Sequence, residues 1–151
     1  MAFSWRYNIS GGRPLVLSFL MKDTETLTIG DLLTLDTGEV DLAATNDTTM
    51  IGRFEGPSDP ADSKKGEPGV VEGTDSTTVV RATVNPDAVY ADKSDTNARL
   101  AGVNLDISGT TGAMKLATDS NSDVITVERK LQNADETRVM IAPGEHYLNP
   151  N

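Results

Sequence analysis

The stretch Gly30-Asp31-Leu32-Leu33-Thr34-Leu35-Asp36-Thr37-Gly38-Glu39-Val40-Asp41-Leu42 decides the fold. Asp36-Thr37-Gly38 lies between two apolar runs, and Gly supplies the positive φ that a tight hairpin turn demands. Just upstream, Thr26-Leu27-Thr28-Ile29 feeds into Gly30-Asp31, so short extended segments follow one another with turn chemistry between them. That is the pattern of a β-meander.

The same period-two rhythm runs outward in both directions, in Val, Thr, Ile and Leu, the residue types that suit half-buried strands. Leu15, Leu17, Phe19 and Met21 share one face of a strand that begins after Pro14, a position where proline is tolerable. Ile51 to Glu55 reads as a further strand. Residues 56–76 turn to Gly, Pro, Asp, Ser and Lys, with only Val70 and Val71 apolar, and are expected to form an exposed flexible loop. Strands resume at Thr77 to Val84, Pro86-Asp87 marks a turn, and Val89-Tyr90-Ala91 is a short strand. Ser94 to Ala101 is read as one or two helical turns capped by Ser94 or Asp95. Val103 to Ile107, Met114 to Ala117, Val124 to Leu131 and Arg138 to Ala142 complete the series, and His146-Tyr147-Leu148 adds a terminal strand.

A chain of 151 residues fits one domain with one modest core. Many short strands with turn signals between them predict an all-β fold, a small β-barrel or β-sandwich over residues 15–151, preceded by an arm at residues 1–14.

Composition removes several functional classes. The chain has no cysteine, which excludes disulfides and thiolate chemistry. Its net charge of -10 opposes general affinity for nucleic acid. The charge is also uneven. Residues 1–22 hold Arg6, Arg13 and Lys22 with no acid, a charge of +3, leaving 10 bases and 23 acids, net -13, in the rest. No stretch approaches the roughly 20 apolar residues of a membrane span. Leu15 to Met21 is followed by Lys22-Asp23-Thr24 rather than a small-residue cleavage site, so the chain is expected to be made in the cytoplasm and left unprocessed.

No active site is expected. General-base and nucleophilic catalysis usually recruit His or Cys, and the one histidine, His146, stands alone between Glu145 and Tyr147. Asp119-Ser120-Asn121-Ser122-Asp123 opens like a calcium loop, but Val124 and Lys130 occupy the places where Gly and Glu are required. Glu39/Asp41 and Asp59/Asp62 are carboxylate pairs of the kind glycoside hydrolysis uses, yet with 23 acids such pairs arise by chance, and solvated charge is the expected reading. Gly109 to Gly112 lacks the Lys-Ser/Thr of a phosphate loop. No catalytic residue, cofactor or metal is therefore assigned.

The candidate binding residues lie at the amino terminus. Phe3, Trp5 and Tyr7 alternate, while Arg6 and Arg13 bracket Gly11-Gly12, a hinge that would let the segment leave the body. Aromatics and Arg are the types that anchor interfaces. The segment either caps this domain's own core or extends as an arm that adds a strand to a partner's sheet, and the second reading is preferred.

Gly30-Asp31-Leu32-Leu33-Thr34-Leu35-Asp36, Leu42-Ala43-Ala44-Thr45 before Ile51-Gly52, Pro86-Asp87-Ala88-Val89-Tyr90 and Ile141-Ala142-Pro143-Gly144-Glu145-His146 together resemble the bacteriophage head decoration, or capsid cement, family over most of residues 14–148. The resemblance implies a β-tulip-like domain on the outer capsid surface of the virion. It implies that such a protein binds the major capsid protein of an expanded head and offsets DNA pressure. It also implies self-assembly, as a homotrimer more often than a homodimer. The competing reading is a glycan-binding adhesin domain of a tail or baseplate, and a small hydrolase on a β scaffold is remote.

Overall fold

A computed structural model describes residues 2–45, 47, 49–117, 124–131, 135–142 and 145–148. The elements run β1 (Phe3–Asn8), β2 (Val16–Leu20), β3 (Thr26–Thr28), β4 (Leu32–Asp36), β5 (Glu39–Leu42), β6 (Met50–Pro57), a 3-10 turn (Pro60–Asp62), β7 (Val70–Glu72), β8 (Val79–Thr83), β9 (Ala88–Asp92), β10 (Asn104–Leu105), β11 (Ile107–Ser108), β12 (Lys115–Leu116), β13 (Ile125–Lys130) and β14 (Thr137–Ile141). The fold is all-β and sandwich-like, without a closed barrel.

One five-stranded antiparallel sheet has the order β1-β9-β14-β13-β10, and a second has the order β2-β8-β6-β4-β5. The hairpin at Asp36-Thr37-Gly38 forms as the sequence requires, pairing Asp36 with Glu39 and Leu33 with Leu42. Gly38 takes φ +91° there.

Two hydrophobic cores flank the second sheet. Leu32 and Met50 enter a core with Phe3, Tyr90, Ile125, Val127 and Val139, while their neighbours Leu33 and Ile51 enter the other with Met21, Phe54, Val71 and Val80. Successive strand residues point to opposite faces, so β4 and β6 must be apolar on both sides to serve both cores. The doublets Leu32-Leu33 and Met50-Ile51 meet that requirement.

The turn before β4 carries a buried carboxylate. Asp31 accepts hydrogen bonds from Thr28 N (2.8 Å), Gly112 N (2.8 Å) and the Thr111 hydroxyl (2.7 Å), which ties the Gly109 to Gly112 turn to the meander. Burial pushes its carboxyl up, against the pull of these donors.

Four expectations need correction. Residues 1–14 are not a detached arm, because β1 pairs antiparallel with β9 from Phe3↔Asp92 to Asn8↔Ala88. The Gly11-Gly12 hinge is clamped: Asn8 donates to the carbonyls of Gly12 (3.1 Å) and Arg13 (3.0 Å), and Asp87 accepts from Ser10 N (2.8 Å). Residues 56–76 are not one open loop, since β7 pairs with β3 and Val71 is fully buried, one apolar doublet being enough to anchor the excursion.

The segment Ser94 to Ala101 forms no helix. Asp95 instead gathers the Arg99 guanidinium (2.9 Å), Asn97 Nδ2 (2.9 Å) and the Thr137 hydroxyl (2.6 Å). Burial works to raise the Asp95 carboxyl, and these donors outweigh it, holding it well below the usual carboxylate range. Finally, β2 does not bury the face expected of it. Met21 is enclosed, but Leu15 and Leu17 are 47% and 40% exposed, as are Val16 (42%) and Leu20 (43%) on the opposite face. β2 is an edge strand, and it meets the other edge of its sheet at its C-terminal end, where the Met21↔Val40 bridge forms and Lys22 N donates to Val40 O (3.0 Å).

Candidate partner-binding surface

The five residues singled out at the amino terminus have separate fates. Phe3 is fully buried in the first core, so it anchors its own domain rather than a partner. Trp5 packs against the same core and donates from Nε1 to Asn8 Oδ1 (3.2 Å). Arg13 is exposed, and among the described residues it has no ion pair.

Arg6 and Tyr7 turn outward for a definable reason. The β1–β9 register slips between Trp5 and Tyr7, so Trp5 faces Tyr90 in the core while Tyr7 faces Val89 and Arg6 is the extra residue. A bulge re-aims the side chains that follow it. A second slip between Val127 and Arg129 does the same in β13, keeping Val127 inward and setting Arg129 opposite Arg138.

The two bulges together assemble a cluster on the outer face of the first sheet. The Arg138 guanidinium lies 5.6 Å from the centroid of the Tyr7 ring, within cation–π range. Arg129 Nη2 donates to the Tyr7 hydroxyl (2.8 Å), and Arg6 Nε donates to Glu136 Oε1 (2.7 Å), which Arg138 Nε also approaches at 3.4 Å. Burial works to raise the Glu136 carboxyl, and Arg6 and Arg138 outweigh it, holding it below the usual value.

Like charges directly opposite each other on neighbouring strands destabilise a sheet. Arg129 and Arg138 stand in that relation, each relieved by an acid on its own strand or beside it, Glu128 for Arg129 (2.9 Å) and Glu136, shared with Arg6, for Arg138. Sequence reading missed both Arg129 and Arg138, because alternation across Val124 to Leu131 assumes an unbroken period and the bulge at Glu128 breaks it.

The remaining candidates resolve into structural roles. A cleft of about 460 Å³ is lined by Asp92, Asp95, Asn97, Ser108 and Lys115, but its carboxylates are occupied within the chain: Asp92 accepts from Ser94 and from Leu116 N (3.0 Å). Asp41 of the Glu39/Asp41 pair accepts from Lys22 (3.2 Å), and Asp59 of the Asp59/Asp62 pair accepts from Ala61 N (2.9 Å). Residues 119–123, the calcium-like stretch, lie outside the described residues.

His146 is 2% exposed, and its Nδ1 accepts from Leu148 N (3.0 Å), which places the proton of the neutral ring on Nε2. Burial pushes its pKa down from 6.5 to about 4. A folded-state pKa below the unfolded one means that the unfolded chain takes up the proton first as pH falls. The stabilising contribution is therefore complete above pH 6.5 and is lost progressively toward pH 4, about 3 kcal/mol in all. Burial raises Asp31, Asp47 and Glu25, which pulls the other way over acidic pH, so the comparison needs a variant. Urea unfolding at pH 7.5 and 4.5 should show His146→Met losing about 2 kcal/mol less than the parent between the two. Equal losses would mean that His146 titrates normally.

Fold and surface together define an all-β scaffold with two cores and an arginine and tyrosine cluster on one outer sheet face. No protein-family profile and no curated protein matches the chain. Among solved structures it is similar to the N base of head fiber gp8.5 in bacteriophage phi29, at 16% identity over 85% of this chain and 95% of that chain, with a TM-score of 0.45.

Proposed function

We propose that the chain is a capsid decoration protein that binds the outside of an expanded phage head and stabilises the major capsid protein lattice, acting through contact and carrying out no chemistry. The observation that carries this reading is the pair of guanidinium groups of Arg129 and Arg138 on Tyr7, with Arg6 joined to Arg138 through Glu136 and Glu128 beside Arg129, an arginine-rich patch on an otherwise acidic molecule. Arg and Tyr are the residue types that anchor protein interfaces, and opposed arginines are easier to keep where an acidic partner surface meets them. Arg13 is a further exposed cation without an ion pair among the described residues.

The segments that resemble the decoration family also converge in space. Gly52 passes against Thr83 and Tyr90, and Met50 bridges His146. A shell that presents many copies of one site multiplies weak contacts, so the cluster can be small and still hold.

The test is cosedimentation with purified expanded heads. Tyr7→Ala combined with Arg129→Gln should lower head binding about tenfold or more while the protein stays folded, because both side chains are at least partly exposed. Parent binding should also weaken as salt rises from about 0.05 to 0.5 M. Undiminished binding by the double variant, with no salt dependence, would remove the cluster from the contact.

A further inference from the structure

Ala88 and Tyr90 point into the first core, so the residues that follow them in β9, Val89 and Ala91, face the outer side of the sheet. Both are nonetheless fully enclosed, with Tyr7 opposite Val89 and Arg138 opposite Ala91. The stem of an arginine covers apolar surface while its guanidinium stays at the water. The arginine and tyrosine layer is therefore packed on a floor of its own.

Glu136 ties that layer together. Its main chain is fixed at the entry to β14, where its carbonyl accepts from Leu131 N (3.0 Å). Trp5, before Arg6, faces Tyr90, while Thr137, after Glu136, faces Asp92, so the Arg6–Glu136 pair (2.7 Å) runs diagonally over β9 above Ala91. Only a short side chain leaves that path open. Of the three groups meeting there the acid is the most enclosed, at 13% exposure against 28% for Arg6 and 22% for Arg138.

The arginines are held by one edge each. Arg6 and Arg138 donate to Glu136 through Nε, and Arg129 donates through Nε to Glu128 (2.9 Å). A guanidinium has four further N–H groups on Nη1 and Nη2. Among the described residues those of Arg6 and Arg138 have no hydrogen-bond partner.

We propose that Glu136 is the positioning residue of this contact: it fixes Arg6 and Arg138 by their Nε edges and leaves their Nη ends to carboxylates on a partner protein. This role rests on the cluster being the shell contact, and it adds which acid sets the geometry and which chemistry on the partner answers it. The Nη end of a guanidinium meets a carboxylate through two parallel bonds. Phosphates of nucleic acid are a poorer match, because three arginines and two glutamates leave the patch only +1 on a chain of net charge -10. Fixing two long side chains in advance also removes the cost of ordering them when the partner arrives.

Glu136→Gln separates positioning from charge, because the two give opposite signs. Losing an acid makes the patch more positive, so an acidic partner drawn by charge alone would bind more tightly. If Glu136 positions the arginines, cosedimentation with expanded heads should instead fall about fivefold or more, with the urea midpoint close to the parent's. A second readout needs no heads, and its first half needs no variant. In heteronuclear NMR spectra of the purified chain at about pH 6, the Nε–H of Arg6 should exchange with water about tenfold more slowly than that of exposed Arg13, and Glu136→Gln should abolish the difference.

Head binding by Glu136→Gln equal to or above the parent's, or an Arg6 Nε–H that exchanges as fast as that of Arg13, would overturn the positioning role while leaving the shell contact standing. A parent that heads do not take up would overturn the shell contact itself, and with it the carboxylate partner. Parent binding to duplex DNA at about 0.15 M salt, weakened by Arg6→Gln, would assign the Nη ends to phosphates and overturn that partner equally.

Discussion

Replacing Gly52 by alanine is expected to destabilise the fold by about 4 kcal/mol or more, enough to leave little soluble native protein. A Cβ built on Gly52 would stand 1.7 Å from Thr83 O and 3.1 Å from the Tyr90 hydroxyl. The first neighbour is backbone of an adjacent strand, so no side-chain rotation relieves it. Gly52 also holds φ +146°, a region that side-chain-bearing residues seldom occupy. Gly38→Ala is the fitting control: φ there is +91° with nothing within 4 Å of the new Cβ, so only the backbone strain of about 1–2 kcal/mol applies. Urea unfolding of both variants checks the difference, and similar midpoints would mean that β6 and β8 separate easily.

The close approach at Gly52 has a structural purpose. Gly52 lies between Ile51, which fills the second core, and Arg53, whose Nε donates to Phe3 O (2.7 Å). The missing side chain lets Tyr90, fully buried, reach Thr83 O with its hydroxyl at 3.3 Å. Burial pushes that phenol well above its usual pKa, which keeps it a neutral donor. β8 is thereby fastened to β9 and the first sheet, with β6 passing close beside the contact at Gly52.

Strand existence was legible from period-two rhythm because it depends only on local spacing. The Asp36-Thr37-Gly38 hairpin and the doublets Leu32-Leu33 and Met50-Ile51 carry their own turn and burial signals. Which face of a strand is covered is not local. Leu15 and Leu17 have the same spacing as Phe19 and Met21, but the other edge of the sheet approaches β2 at Met21 through the Val40 bridge and not at Leu15 or Leu17, so the first two stay exposed. The surface cluster was legible only in part for a similar reason. Arg6 and Tyr7 stood out by residue type, whereas Arg129 and Arg138 join them through two bulges, and a register shift leaves no mark in one strand's own sequence.

The amino-terminal segment posed a choice between core strand and free arm, and the two give opposite results for one substitution. Phe3→Ala should cost about 3–5 kcal/mol if the ring fills the first core, against about 0.5 kcal/mol or less for an exposed arm residue. The structure favours the larger value: Phe3 is fully enclosed, its N–H donates to Gly30 O (3.0 Å), and its carbonyl accepts from Arg53. Removing residues 2–12 would go further, stripping β1 from β9 and opening the first core to water, so that deletion cannot serve as a test of binding. The single tryptophan, Trp5, sits two residues away against the same core, and its emission reports the change directly. Phe3→Ala should shift the fluorescence unfolding midpoint sharply to lower urea with the slope unchanged. A midpoint close to the parent's would show that the segment contributes nothing to the body and would return it to the role of an arm.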